Sequence, residues 1–251
     1  MQGGHRFYFN FEGAEGLLPL NEAHHAVMVL RKKVKDIVLL INGKGEEYVG
    51  QISEIKRNRG VTLVKVRILE LLRKESPPRI ILNVFLPLLK GDRTDFLIEK
   101  GTELGVNNFT VYQSKHTIPK ISPDKILRFK EKSLNALKQS GRLYLPTVTL
   151  STSLIKTLKD LSPRSAIKIL AHPKGDSSLK LIAERLKENT EEIILLSGPE
   201  GDLSQEEFNM AIDVGFLPIS LSPYILKAET ASLSLIAIVT YLIKEFHNKT
   251  Y

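Results

Sequence analysis

Apolar and polar residues alternate along the first third of the chain with the period of strands. Residues 37–41 form an apolar run that stops at Asn42-Gly43, a turn signal. A second strand is expected over 47–52 and a third over 61–68. The third places Val64, Val66 and Ile68 on one face and Lys65 and Arg67 on the other, the period of two of a half-buried strand. Between these two lies the basic turn Lys56-Arg57-Asn58-Arg59-Gly60. Ser76-Pro77-Pro78 then marks a boundary, because proline opposes both helix and central strand. Beyond it the period changes. Strands are expected over 79–86, 109–112, 166–171, 192–197 and 216–220. Helices are expected over 92–104, 123–140, 152–161 and 230–246, with two more around Leu179–Leu186 and from Ser204 onward. Ser204 and Glu207 have the spacing of a capping box. Strands separated by helices imply right-handed crossovers and a parallel sheet, so the fold class is α/β.

The last helix is unusual. Leu233, Leu235, Ile236, Ile238, Val239, Leu242, Ile243 and Phe246 leave little polar face. A helix apolar nearly all round is buried on both sides, either within one chain or against a partner. Its uncharged tract, Thr230 to Ile243, is shorter than the roughly 20 residues that span a bilayer. No signal-like apolar core follows the first residues, and the chain is expected to be soluble and cytoplasmic, with no membrane partner. Apolar residues make up 42% of the 251, enough for a packed interior. The net charge of +8 suits a polyanionic partner. The lack of cysteine removes disulfides, thiolate metal sites and cysteine nucleophiles from consideration.

Functional loops of open α/β sheets lie past the C-terminal ends of strands. Two such loops stand out. Residues 192–197 run into Gly198-Pro199-Glu200-Gly201-Asp202-Leu203-Ser204, whose glycines permit close approach of a ligand and whose Glu200 can meet a cation. An ordinary strand-to-helix turn is the competing reading. Ile219-Ser220 runs into Leu221-Ser222-Pro223-Tyr224-Ile225-Leu226-Lys227-Ala228-Glu229-Thr230. Here Leu221, Ile225 and Leu226 are expected to turn inward, leaving backbone groups to read a heterocycle such as adenine. Glu229 either starts the last helix or serves the site. There is no Gly-x-Gly-x-x-Gly, no phosphate-loop Gly-Lys-Ser/Thr, no His-Glu-x-x-His and no Gly-x-Ser-x-Gly. Of six histidines only His24 and His25 are adjacent, so no metal site is expected.

With these loops the chain resembles the RsmE family, the 16S ribosomal RNA uridine N3-methyltransferases of the SPOUT superfamily. The resemblance rests on His5-Arg6-Phe7-Tyr8, on His24-His25-Ala26-Val27-Met28-Val29-Leu30-Arg31 and on Gly43-Lys44-Gly45-Glu46-Glu47-Tyr48. It continues through Lys90-Gly91-Asp92-Arg93, Glu99 to Val106, Gln139-Ser140-Gly141-Arg142 with Pro146, Gly198-Pro199-Glu200-Gly201 and Ile225 to Ala231. It implies a small PUA-like β-barrel over residues 1–75 that helps bind RNA, and a SPOUT domain over 76–251 with a parallel sheet and a deep trefoil knot. It further implies S-adenosyl-L-methionine as cofactor, 16S ribosomal RNA, within the small ribosomal subunit, as substrate, and a homodimer, which would place the last helix at an interface. The cofactor cradle falls to Gly198, Glu200, Gly201, Leu221, Ile225 and Leu226. Lys227 and Glu229 are the catalytic candidates, for orientation or charge balance near the base. Arg6, Arg31, Arg93 and Arg142 are the candidate phosphate contacts. Four positions depart from the family pattern: Asp202 and Ser222 replace glycines, and Tyr224 and Lys227 replace arginines. Lys227 keeps the charge without the planar fork. Alternatives are a ribose 2′-O-methyltransferase of the same superfamily and a non-catalytic RNA-binding or assembly factor.

Overall fold

The computed structural model describes residues 5–9, 13–117, 119–161, 166–186 and 190–247. Two compact units emerge, one from Met1–Pro77 with Leu134–Leu145, the other from Pro78–Ser133 with Pro146–Tyr251.

The first unit holds β1 (Arg6–Tyr8), β2 (Glu15–Leu17), α1 (Leu20–His24), a π-helical turn over His25–Val29, β3 (Ile37–Ile41), β4 (Glu46–Asn58) and β5 (Val61–Lys74). They form a five-stranded sheet in the order β1-β3-β4-β5-β2, parallel only between β1 and β3. The expected alternation is present, with Val38, Leu40, Ile52, Val64 and Val66 packed together with Phe7, Phe9 and Leu18. At Gly50 a Cβ would stand 2.5 Å from the Leu40 side chain, so the cross-strand packing requires glycine. The strands of the β4–β5 hairpin are longer than the expected 47–52 and 61–68. Their turn is only two residues, Arg59 and Gly60, both with positive φ (45° and 82°), as a hairpin matched to strand twist demands. The short elements before β3 escaped the periodicity, since three-residue strands carry almost no pattern.

Residues 134–145 join this unit through Leu137 and Leu143, which bury Ile41, and through backbone bonds Gly45 N–H to Leu143 O and Leu145 N–H to Gly43 O. The Lys138 ammonium donates to Glu22 at 2.6 Å. Nothing in local sequence links residues so far apart.

The second unit contains β6 (Ile81–Pro87), α2 (Arg93–Glu103), β7 (Asn108–Tyr112), α3 (Pro123–Ser140, whose last turns count with the first unit), β8 (Thr147–Ser151), α4 (Leu154–Lys159), β9 (Ile167–Ala171), α5 (Leu179–Leu186), β10 (Glu192–Ser197), α6 (Gln205–Asp213), β11 (Leu217–Ile219) and α7 (Ala228–His247). Its six strands are all parallel, in the order β11-β9-β10-β6-β7-β8. Successive residues feed opposite cores. Leu82, Val84, Ile193, Leu195 and Ile169 pack with Leu97, Ile182 and Ile236 on one face. Phe85, Ile194, Leu196 and Leu170 pack with Leu154, Leu158 and Ala211 on the other. A parallel sheet covered on both sides explains why these strands read as continuous apolar runs.

Two expectations need correction, and one of the two readings left open for the last helix is removed. The edge strand β8 was missed; only Val148 is buried and the two threonines beside it are exposed, so it presented no apolar run. The helix expected over 152–161 is α4, which starts later because Ser153 caps it by accepting the Lys156 N–H. Helix α7 is not buried all round within the chain: Ser232, Leu235, Ile236 and Val239 face the core, while Tyr241 is 60% exposed. The Ser204–Glu207 capping box is present in both directions.

From β8 the chain crosses to β9 on the far side of β6, and β10 then inserts between β9 and β6. Loops that leave these strands in opposite directions open a crevice past their C-terminal ends, the usual place for a ligand in such sheets.

Candidate cofactor and catalytic site

The crevice is a cavity of about 400 Å³. Three consecutive strand ends supply its wall: Ala171, His172 and Pro173 after β9; Gly198, Pro199, Glu200 and Asp202 after β10; Ser220, Leu221, Ser222, Tyr224, Ile225, Leu226 and Lys227 after β11. Ala228 and Ala231 of α7 and Arg93 at the start of α2 complete it.

The loop after β10 is pinned at its root. Buried Tyr112 donates its hydroxyl to the Ser197 carbonyl at 2.6 Å. Burial pushes that phenol well above its ordinary pKa, with Glu207 and Asp202 adding to the effect, so it stays a donor. Ser197 Oγ lies 2.6 Å from Ser232 Oγ, which donates to the Ala228 carbonyl or to Ser197. The turn itself closes through the Asp202 N–H to the Pro199 carbonyl at 3.0 Å. Asp202 holds φ +62°, a conformation that glycine takes freely and that aspartate tolerates better than most residues. Its Oδ1 accepts the Leu203 N–H at 2.8 Å. A Cβ on Gly198 would lie 3.2 Å from that same oxygen, which ties the small residue at 198 to the turn's closure. His116 Nδ1 stands 3.2 Å and 3.3 Å from the carbonyls of Gly201 and Asp202. Past the loop, burial disfavours the Glu207 carboxylate, but hydrogen bonds from Ser204, Lys115 and Ser114 outweigh it and hold the group below the ordinary carboxylate range.

Charge in the cavity is organised around Arg93. Its Nη1 donates to Glu200 Oε1 at 3.1 Å, an atom that also accepts the Lys90 N–H, and its Nε is 3.8 Å from Glu229 Oε1. Glu229 Oε2 is buried and has no hydrogen-bond partner among the described residues. Lys227 is exposed. His172 rests against the Phe208 ring at 4.6 Å between centroids.

Of the cradle candidates, Gly198, Glu200, Leu221, Ile225 and Leu226 line the cavity, and Gly201 lies in the same turn against His116. The expectation that Leu221, Ile225 and Leu226 all turn inward is corrected at Ile225, which is 89% exposed; Leu221 does pack on the core. Lys227 lines the cavity, and Glu229 stands behind Arg93 in the first turn of α7. Arg93 belongs to the cavity, where its guanidinium pairs with Glu200. Arg6 Nε donates at 2.6 Å to Glu47, which is 3% exposed, so Arg6 serves a buried ion pair. Burial pushes Arg142 down to about 10, opposed by Glu75, and it remains a cation at neutral pH. Arg31, like Arg93, is exposed, and it holds φ +54°. The wall after β9, with His172, was missed by sequence reasoning. The rule that located the other two loops applies equally to this strand end, but Ala171-His172-Pro173 lacks glycine and carboxylate and drew no notice.

Residues 75–240 match the family described as RNA methyltransferase domain, and residues 19–65 match the RNA methyltransferase PUA domain. The chain belongs to the RsmE family of RNA methyltransferases. It is similar to the Ribosomal RNA small subunit methyltransferase E of Buchnera aphidicola subsp. Acyrthosiphon pisum, 28% identical over 89% of this chain and 86% of that one. The Bacillus subtilis protein of the same name is 26% identical over 88% and 87%. A crystal structure of the Neisseria gonorrhoeae Ribosomal RNA small subunit methyltransferase E, bound to S-adenosyl methionine, superposes with a TM-score of 0.83 at 26% identity, covering 96% of this chain and 98% of that one. The first unit of this methyltransferase is thus a PUA-like region and the second a SPOUT-like domain with a parallel sheet. Among the described residues no helix is long and apolar enough to cross a membrane, and no group of His, Asp and Glu is placed to hold a metal ion.

Proposed function

We propose that this methyltransferase transfers a methyl group from S-adenosyl-L-methionine to N3 of a uridine in 16S ribosomal RNA. The observation that carries the reading is the cavity at the ends of β9, β10 and β11, in a chain of the RNA methyltransferase family. Its residues fit the cofactor. The volume falls within the roughly 300–1,000 Å³ of small-molecule sites. The wall combines apolar Leu221, Leu226, Ala171 and Ala231 with charged groups, as a nucleoside joined to a zwitterion requires. The partnerless oxygen of Glu229 marks a site whose polar groups are not all satisfied by the chain itself.

When bound, the cofactor supplies an electrophilic methyl on a positively charged sulfur. The chain's contribution is to bind, orient and exclude water. Gly198, Glu200, Gly201, Leu221, Ile225 and Leu226 form the cradle. Glu200 and Glu229 hold Arg93 between them, fixing a cation at the edge of the cavity. Lys227, exposed at the rim, orients the negatively charged RNA. Uridine N3 lies on the pairing edge, so the base must leave its stack before it reacts.

In this reading residues 1–75 bring RNA to the site and 76–251 form the catalytic domain, whose crossing loops make a deep trefoil knot. The enzyme works as a homodimer in the cytoplasm; the strongly exposed Tyr224 and Ile225, with Tyr241 on α7, are apolar surface of the kind a second copy covers. The test is transfer of labelled methyl from S-adenosylmethionine to unmodified small ribosomal subunits, followed by nuclease digestion. Labelled N3-methyluridine is the expected product. Labelled 2′-O-methylated nucleoside, or no label where a control enzyme succeeds on the same subunits, would overturn the proposal.

A further inference from the structure

We propose that Asp202 receives the α-ammonium group of the cofactor's methionine end, a role that rests on the reading of the cavity as an S-adenosylmethionine site. Besides Tyr224, five ionisable side chains line that cavity: Arg93, His172, Glu200, Asp202 and Lys227. Arg93 and Glu200 neutralise one another at 3.1 Å. His172 accepts the Lys174 N–H on Nδ1, so its other ring nitrogen, Nε2, is the one that faces Asp202. That Nε2 stands 3.7 Å from Asp202 Oδ2, outside hydrogen-bond length. Among the described residues, Asp202 Oδ2 and the Lys227 ammonium are thus the charged groups lining the cavity that have no hydrogen-bonded partner of opposite charge. A zwitterionic amino-acid group is the complement of such a pair.

Within the pair, the carboxylate is the better defined partner. The Asp202 N–H closes the turn onto Pro199, its carbonyl faces His116, and its Oδ1 is occupied by the Leu203 N–H. Oδ2 accepts no hydrogen bond from the described residues, and its lone pairs call for a donor. The methionine ammonium has three N–H donors, whereas the sulfonium has none. The left-handed backbone at Asp202 aims the side chain before any ligand arrives, so little ordering accompanies binding.

Asp202→Asn is the informative variant. Asparagine tolerates the same backbone and keeps an oxygen for the Leu203 N–H, while the charge is lost. Calorimetric titration of wild type and Asp202→Asn with S-adenosylmethionine, S-adenosylhomocysteine and 5′-methylthioadenosine separates the roles, because the last lacks the amino-acid group. The expected result is a roughly three- to thirtyfold weakening for the first two, between an exposed ion pair and a charge-assisted hydrogen bond, with methylthioadenosine unchanged. Asp202→Gly, free of backbone cost, should reproduce it. Weakening of methylthioadenosine to the same degree would mean that Asp202 only shapes the loop and would overturn the proposal. Weakening for S-adenosylmethionine alone would assign Asp202 to the sulfonium and overturn the ammonium role, as would no weakening at all. Wild-type protein that binds none of the three would instead sink the cofactor reading itself.

Discussion

Replacing Glu207 by glutamine keeps shape and volume and removes one charge at a point where the structure leaves no alternative partner. The carboxylate is 3% exposed. Oε1 accepts the Lys115 N–H at 3.0 Å, and Oε2 accepts the Ser204 N–H and the Ser114 hydroxyl, each at 2.8 Å. All of these are donors, and the Ser114 hydroxyl alone can turn to accept. Whichever way a glutamine amide is placed, its NH2 faces a backbone N–H. One buried donor is then unsatisfied, at about 1–3 kcal/mol, and the remaining bonds lose their charge assistance. Together these come to about 2–4 kcal/mol, or a fall in Tm of roughly 5–15 °C for a chain of this size. The change should concentrate where Glu207 ties the loop after β7 to the start of α6, next to the cofactor turn. The pH dependence has a definite sign. The folded-state pKa of Glu207 lies below its unfolded value, so its stabilisation is complete above the unfolded value and is lost as pH falls through the folded one. Urea unfolding of Glu207→Gln and wild type should differ by the stated amount at pH 7 and converge toward pH 3. A difference under about 0.5 kcal/mol at neutral pH, or one that does not narrow in acid, would refute the reasoning.

Further predictions concern the arginines and the exposed loop. Arg6→Met leaves Glu47 buried with Arg73 at 3.2 Å as its remaining cation, and should destabilise the first unit by about 3 kcal/mol without altering the salt dependence of RNA binding. Arg31→Ala should leave stability within about 0.5 kcal/mol and flatten the plot of log affinity against log salt by roughly 0.7–0.9 if Arg31 meets a phosphate; an unchanged slope removes it from the interface. Ile225→Ser should not alter unfolding of the isolated chain, since the side chain is almost fully exposed, but should weaken self-association in sedimentation; an unchanged dimer would place the interface elsewhere.

Much of this molecule was legible from the order of its residues, for reasons local in origin. The strands β3 and β10 and the helix α3 coincide with their expected limits, because each joins a strong period to explicit end signals such as Asn42-Gly43 or Pro123. The Ser204–Glu207 cap closes within one turn and needs nothing beyond four residues. The two loops after β10 and β11 were found because a strand end followed by glycine, carboxylate and stranded apolar residues is a pattern the chain displays by itself. The tertiary structure decided the rest, since it depends on which distant groups meet. Arg93 stands in the sequence as a lone candidate phosphate contact, and its pairing with Glu200, more than a hundred residues later, is decided by the fold. Arg6 is committed to Glu47 by the parallel pairing of β1 with β3 and the antiparallel pairing of β3 with β4, which bring two separate segments together. Ile225 was expected inside on grounds of transfer free energy, but in the fold its side chain faces out, 89% exposed. The strand order that places β10 between β9 and β6 is likewise invisible in any window of sequence. It is set by packing a sheet on both faces, and it brings three loops, one of them unnoticed, into a single site.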